Sequence, residues 1–597
     1  VIIPAAIIDF ETEPILGHKP PKPVGVAIDR AYFAWGHPCE NNSTETIGKR
    51  MLSRVFGSFD TELWAFNAGF DFPVAAAHLG LKTPWHRVRD VQILAFLADP
   101  LSTARDLKSL AEQHAGVKHG ERNEMYEWIK TNIPEAKRLG PAKLGAFISR
   151  APGNLVGRYA VGDTRDTRLL RDKWDGAWRG TQAYEREHAL LPVLDDMRRC
   201  GIPIARKRLE RDAQRWEGWL SRCDDWLMRR LRLKDLKPRM IVAACEALGL
   251  VEEWILTPKN EETGRGGTPS LAGDALDQLV REGLFHDKKL VEVWGYRTYL
   301  GWILKTFVRP WLASGGERVH PAWNGVRQER GGAVTGRLSS TPNVQNMPKP
   351  SKIPTFKLPR GLEVGPIPNL RLYVEAPEGW TYVGIDISQQ EFRILGHYVP
   401  SIGDRYRENP KTDFHNVTSK MIEEVAHIKL IRDYVKVVNF CRIYGGGALA
   451  VSRQARVSYE QAEEFVRMHK QAFPGIETWD WEMHRKGEGS VIPTVGGRKY
   501  PTVPDKSYRD KNYAIQGSAA DQLKALMIAI HPEVKNLGGW IPLTAHDEIL
   551  TCVPTRAARE TKRILLEAVE DTGVGGPREM FDVPMLGETY QGKRWVK

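Results

Sequence analysis

The chain has 597 residues, 42% of them hydrophobic, with 86 Lys+Arg against 74 Asp+Glu and a formal net charge of +12. That length predicts about four compact units of ~150 residues with ample apolar area, so folding needs neither disulfide staples nor a structural metal. The basic excess points to an anionic partner, nucleic acid first, and no run approaches the ~20 apolar residues of a membrane span. Cys39, Cys200, Cys223, Cys245, Cys441 and Cys552 lie far apart with no CxxC pair. This excludes a zinc ribbon of ordinary spacing, argues against a disulfide framework and predicts a reducing compartment.

The opening VIIPAAIIDFE is short, lacks a basic flank and reads as a buried strand rather than a signal peptide. Residues 1–185 alternate β-like runs (AAIIDF, ELWAFNA) with helical stretches, which predicts α/β layers. Asp9 and Glu11 stand two apart at the end of the first strand, so both carboxylates leave on one face. Asn67 and Asp71 follow, and then Tyr159 and Asp163, four apart on a helix and so sharing a face. Hard divalent cations prefer oxygen ligands, and two Mg²⁺ ions ~3.5–4 Å apart suit phosphodiester hydrolysis. Singly, each piece favours a structural role, with Asp9 as a strand-end cap or surface pair and Asp163 on a solvated helix face. The ordered set D-x-E, N-x3-D, Y-x3-D resembles the three motifs of DnaQ-like 3′–5′ proofreading exonucleases. The resemblance implies that Asp9, Glu11 and Asp163 hold the tighter metal, that Asp71 serves the second, and that Tyr159 orients the attacking water.

From Tyr184 to about Leu312, Trp, Leu and Arg recur at helical intervals, interrupted by the polar, glycine-rich stretch 258–271. A Pro-rich segment follows Pro348, and WTYVGIDIS from Trp380 predicts a strand with Asp386 at its polar end. Long helices are expected across 402–475, among them IRDYVKVVNFCRIYGGG. There Arg432, Lys436, Phe440 and Tyr444 recur every four residues, a drift of only ~40° per step, so they form one stripe. Two cations followed by two aromatic rings make a poor core stripe but suit phosphates, sugar and base. Finally, WIPLTAHDEILTCVP predicts a hairpin with His546, Asp547 and Glu548 at its turn. Only folding could unite Asp386 with Asp547.

D-x-S-Q-x-E-x-R, R-x3-K-x3-F-x3-Y-G and H-D-E resemble motifs A, B and C of family A DNA polymerases, and the likeness spans about 190–597. TGRLSSTPNVQN from Thr335, DFHNVTS from Asp413 and NYAIQGSAAD from Asn512 agree in order. The resemblance implies an α/β and α+β multidomain chain: an RNase H-like exonuclease domain followed by a right-hand polymerase. Its parts would be the exonuclease at 1–185, a mainly helical thumb and start of the palm at 186–345, and palm with motif A at 346–400. Fingers with motif B would occupy 401–490, and palm with motif C 491–597. Asp386 and Asp547 would bind two Mg²⁺ ions, with Glu548 in support. Arg432, Lys436 and His415 would contact the incoming triphosphate, and Lys436 would also protonate the leaving pyrophosphate. Phe440 and Tyr444 would frame sugar and nascent pair, Glu391 would crowd the 2′ position, and Gln389 joins the nucleotide-binding set. Arg337, Asn512 and Gln516 would read minor-groove acceptors, which test geometry rather than sequence, and His546 would touch the primer.

The implied function is template-directed DNA synthesis from dNTPs with 3′–5′ proofreading, by two-metal phosphoryl transfer at both sites. Mg²⁺ is the expected metal, two per site, with Mn²⁺ as a substitute. Expected partners are primer-template DNA and dNTPs, with a processivity factor or helicase–primase as a candidate, no membrane, and a monomeric enzyme. The chain opens at the exonuclease motifs, so no 5′-nuclease domain is expected ahead of them. A phage or similar replicase in the (host) cytoplasm is the expected setting, with an organelle as the alternative. Ile387, Gln390 and Cys441 depart from the residues common in the family, and none of them removes a ligand. Three rivals are a single-subunit RNA polymerase, which would carry glycine at the Glu391 position, a DNA-binding scaffold with dead sites, and a repair nuclease.

Overall fold

The structure is a computed structural model that describes every residue except 1–3, 38–43, 260–265, 328–330, 427–431, 456, 488, 503–507 and 597. The side chains of 142, 425, 426, 432, 433 and 508 also fall outside the description, so Cys39 and the Arg432 side chain are not described. The chain forms two compact units. The first comprises Val1–Gly201, His320–Thr341 and Gly379–Gln591, and the second Ile202–Val319, Pro342–Glu378 and Gly592–Lys597.

Within the first unit, a five-stranded sheet is built from β1 (Ala5–Thr12), β2 (Pro23–Ile28), β3 (Ala31–Ala34), β4 (Glu62–Ala65) and β5 (Val88–Asp90), in the order β3-β2-β1-β4-β5. Strand β1 pairs antiparallel with β2 and parallel with β4. It is central and buried on both faces, which is why its sequence reads as a nearly unbroken apolar run. Ile7 packs into one apolar cluster with Leu170 and Trp174, whereas Ile8 and Phe10 pack into another with Phe72 and Val74. Period-two alternation thus sends neighbouring residues to opposite layers. The covering helices include α1 (Ala68–Leu79), α2 (Leu107–Ala115) and the 26-residue α3 (Gly153–Trp178).

Helix α4 (Gln182–Cys200) packs against this layer at α1 and β5, where His188 Nε2 accepts the Asp90 N–H at 3.0 Å. The remainder of the unit holds a four-stranded sheet of β6 (Trp380–Ile387), β7 (Trp540–Ala545), β8 (Glu548–Pro554) and β9 (Gly587–Gly592), in the order β7-β8-β6-β9. Helices α7 (Gln390–Tyr398), α8 (Phe414–Ala426), α9 (Arg432–Ile443) and α10 (Tyr459–Ala472) lie between its first and second strands in the chain, followed by α11 (Tyr508–Asn536). Helix α12 (Ala558–Glu570) packs on β6 and β8. Helix α9 buries Val435, Val438 and Cys441 in a cluster with Ile422 and Phe465, so Cys441 is a packing residue whose thiol burial pushes up.

Helices α4 and α11 are pinned together by buried charge. Lys524 donates to both oxygens of Glu187 at 2.8 and 2.7 Å, and Asp521 accepts from Arg186 at 2.6 Å and Arg498 at 2.7 Å. In the second unit, α5 (Arg206–Leu231) packs on α6 (Lys288–Ile303), with Trp216 edge-on to Tyr373 at 5.5 Å. Among the described residues no helix is long and apolar enough to cross a membrane, and the five described cysteines form no disulfide.

Candidate active sites

Asp9 and Glu11 share the parity of Ile7 on β1 and therefore face the layer that contains α3. Tyr159 and Asp163 lie one turn apart on that helix. One carboxylate oxygen from each of Asp9, Glu11 and Asp163 lies within 4.8 Å of the other two. Asp71 arrives from the first turn of α1, and its Oδ1 accepts the Phe10 backbone N–H at 2.8 Å. The start of α1 is set by Asp90, whose oxygens accept from the backbone of Asn67 and Ala68, both at 2.9 Å. Asn67 itself is left-handed, with φ 68.

Burial pushes the Asp9 and Glu11 carboxyls well above the usual range, and repulsion from Asp163 and Asp71 adds to it. Asp71 is pushed up to about 8, chiefly by burial. Asp163 is raised by burial and opposed by the Lys108 ammonium, and Tyr159 is raised by burial and by Asp163. Four clustered carboxyls that resist ionisation are relieved by a divalent cation, so this oxygen-only donor set fits Mg²⁺ or Mn²⁺.

The sequence reading missed Lys108. Its ammonium contacts Asp163 and lies 3.0 Å from Asp166, 3.4 Å from Glu121 and 5.1 Å from the Tyr159 ring centre. The signal was present: a lysine stands beside Leu107 and a turn from Ala111 on the buried side of α2.

The second constellation forms at the ends of β6 and β8. Asp386, next to last in β6, pairs across the ladder with Glu548, the first residue of β8. Asp547 lies in the turn between β7 and β8, and its carbonyl accepts the Ile387 N–H at 3.0 Å. His546 precedes it with φ 58, so the hairpin turn holds a non-glycine residue in the left-handed region. Strand pairing thus brings Asp386, Asp547 and Glu548 together at one strand end. Glu548 is fully buried and accepts from the Tyr590 hydroxyl of β9. That ring crosses Gly384, where a Cβ would come within 2.2 Å of it.

On α9, Lys436 Nζ stands 6.0 Å from the centre of the Phe440 ring, which packs edge-on to Phe392 at 5.1 Å and beside His415 at 5.9 Å. Tyr444, just past the end of α9, donates to one oxygen of Glu391, and Arg337 donates to the other at 2.7 Å. Gln516 also bonds Tyr444, so four residues distant in sequence converge. Asn512 lies one turn before Gln516 on α11, its Oδ1 buried without a partner among the described residues. Gln389, with φ 52, holds the chain ahead of α8: its amide accepts from Phe414 N–H at 2.9 Å and donates to the Thr412 carbonyl at 3.0 Å. Asp413 caps the same helix, accepting from His415 N–H at 2.9 Å.

The model of the family described as DNA polymerase family A matches residues 247–597. The chain belongs to DNA polymerase family A. The thermostable DNA polymerase I of Thermus filiformis is 30% identical over 374 residues, covering 58% of this chain and 40% of that relative. The thermostable DNA polymerase I of Thermus thermophilus is 26% identical over 579 residues, covering 88% of this chain and 63% of its own length. In both, this family A chain spans less than two thirds of the relative. A solved structure described as the POL domain of Pol1 from M. smegmatis, in complex with DNA primer-template and dNTP, matches with a TM-score of 0.72 at 19% identity. That match covers 99% of this chain and 95% of the solved one, and it shows a shared fold.

Proposed function

We propose that this family A chain copies a DNA template from dNTPs and removes mispaired 3′ ends, in DNA replication. The observation that carries the reading is the presence of two separate carboxylate sets, one at Asp9, Glu11, Asp71 and Asp163 and one at Asp386, Asp547 and Glu548. The proposed division is an exonuclease at 1–185, thumb and start of palm at 186–345, palm at 346–400, fingers at 401–490, and palm again at 491–597. When bound, divalent cations, two at each site, would neutralise the charge on the entering and leaving oxygens of in-line displacement.

The chain's own residues do the remainder. Lys436 and His415 meet the triphosphate, together with Arg432, and Lys436 hands a proton to the departing pyrophosphate. Phe440 and Tyr444 frame the sugar and the nascent pair while Glu391 crowds the 2′ position, so ribonucleotides clash. Gln389 braces the segment that presents His415. Arg337, Asn512 and Gln516 probe the minor groove, and His546 touches the primer. In the other site Tyr159 orients the water, and Lys108 holds Asp163 in place. Primer-template DNA and dNTPs are the proposed partners, the chain acting as a monomer in the cytoplasm. A primer-extension gel with dNTPs, with rNTPs and with neither tests the reading. Extension with dNTPs and shortening without nucleotides are expected; extension with rNTPs alone would favour an RNA polymerase instead.

A further inference from the structure

Asn439 directly precedes Phe440 on α9 but is fully buried. Its amide links three other buried side chains. Oδ1 meets His469 Nε2 at 3.0 Å, while Nδ2 meets Thr418 Oγ1 at 3.0 Å and His415 Nδ1 at 3.0 Å. The direction of each bond follows from its neighbours. The Thr418 hydroxyl donates to the Phe414 carbonyl at 2.8 Å, so its oxygen is left to accept from an amide nitrogen. His469 is fully buried, which drives its ring down to about 3 and keeps it neutral. Its Nδ1 is buried with no partner among the described residues, so the single ring proton belongs on Nε2, where it donates to Asn439 Oδ1. Both ends therefore orient the amide the same way.

With Nδ2 pointing at His415, the Nδ1 of that histidine accepts a hydrogen bond and carries no proton. The neutral ring is then the Nε2–H tautomer. Edge-on contact with Phe392 at 4.8 Å and the neighbouring Phe440 ring hold its plane. We propose that Asn439 is a positioning residue that fixes the tautomer of His415, keeping a proton on Nε2 for the anionic triphosphate of the incoming nucleotide. The proposal rests on the reading of His415 as a triphosphate contact. It gives Asn439 a task distinct from that of the neighbouring Phe440: the stripe residues touch the nucleotide, and Asn439 acts through another side chain.

The test uses the full chain in an Asp9→Ala, Glu11→Ala background, so that digestion does not obscure extension. KM for dNTP and kcat are measured for the parent, His415→Phe, Asn439→Leu and the double variant. Loss of a hydrogen bond to a charged group predicts a rise in KM of roughly 10- to 100-fold for His415→Phe. Asn439→Leu should raise KM with little change in kcat, and the double variant should be no worse than His415→Phe alone. Additive effects on KM would overturn the proposal. An unchanged KM in His415→Phe would instead defeat the triphosphate reading on which it rests. A second measurement needs no altered Asn439: nitrogen-15 NMR of histidine-labelled parent protein, with His415 assigned by its loss in His415→Phe. A protonated Nε2 and bare Nδ1 are expected, and a protonated Nδ1 would overturn the proposal whatever the kinetics show.

Discussion

Asp386 and Glu548 are direct partners across the antiparallel ladder of β6 and β8, although a run of helices separates them in the chain. Because the register extends unbroken from Trp380–Pro554 to that pair, backbone bonds of the strand pair, rather than loop contacts, set Asp386 opposite Glu548. The turn beyond it carries Asp547, whose carbonyl accepts the Ile387 N–H at 3.0 Å. A site built on strand ends in this way holds its geometry before any substrate arrives.

That rigidity, together with the separate location of the Asp9–Glu11–Asp163 cluster, predicts separable activities. Asp9→Ala with Glu11→Ala should abolish digestion of a 3′-labelled strand and leave extension almost intact. Asp547→Asn should stop extension while digestion continues. A single substitution that removed both activities from a folded protein would show that the two clusters are not independent.

Glu391 is held from both sides, by Tyr444 and by Arg337. If Glu391 crowds the 2′ position as proposed, a carboxylate so fixed cannot swing away to admit a 2′-hydroxyl. Glu391→Ala should therefore raise ribonucleotide incorporation relative to dNTPs by roughly tenfold or more, since tenfold is only ~1.4 kcal/mol of barrier. Competition assays with paired dNTP and rNTP substrates would measure the ratio, and an unchanged ratio would move the gate elsewhere.

Much of this was legible before folding. The four-residue spacing of Lys436, Phe440 and Tyr444 makes a stripe on any helix, and the DxE parity needs only a strand. The DNA polymerase family A match over residues 247–597 agrees with the motif reading of that stretch. What escaped was tertiary. The local pattern puts Lys108 on a buried helix face but does not name Asp163 as its partner, nor Tyr590 as the donor to Glu548, because those contacts come from packing. Gln389 shows the converse: it lies inside motif A, yet the described bonds of its amide go to Phe414, Thr412 and Tyr406.

Asp71 offers a pH test. Its folded pKa, about 8, lies above the unfolded value of ~3.9, so the folded chain holds the proton more tightly. The stabilisation is complete below pH ~4 and is lost as pH rises through about 8. Asp71→Asn keeps an oxygen for Phe10 N–H and never ionises, so in EDTA its melting temperature should gain on the parent as pH rises. Mg²⁺ should shrink that gain by stabilising only the parent's carboxylate. Melts at pH 5, 7 and 9 would check it, and a difference flat with pH would contradict the buried-carboxyl picture.

The Lys524–Glu187 pair should behave as a buried ion pair. Lys524→Met leaves Glu187 charged and unmatched in the interior, a loss of about 3–5 kcal/mol. Lys524→Met with Glu187→Leu removes both charges and should recover most of that loss. Denaturant midpoints for the two single variants and the double would show it, and a double variant as weak as the sum of the singles would be inconsistent with direct pairing.

Phe440 lies one turn beyond Lys436, its ring wedged against Phe392 and His415. If that ring borders the incoming sugar as proposed, it offers no hydrogen bond there, so the substrate's own 3′-hydroxyl must satisfy the polar oxygens around it. A dideoxynucleotide lacks that hydroxyl and should be a poor substrate for the parent. Phe440→Tyr returns a hydroxyl close to the vacated position. A hydrogen bond to a charged group contributes roughly 1.5–3 kcal/mol, so discrimination should fall by about one to two orders of magnitude. The comparison belongs in the Asp9→Ala, Glu11→Ala background, where excision cannot hide termination. Competing dideoxy- and deoxynucleotide incorporation on a primed template gives the ratio directly. Equal ratios for Phe440 and Phe440→Tyr would mean that the ring does not border the sugar, and the stripe would then need a different register against the nucleotide.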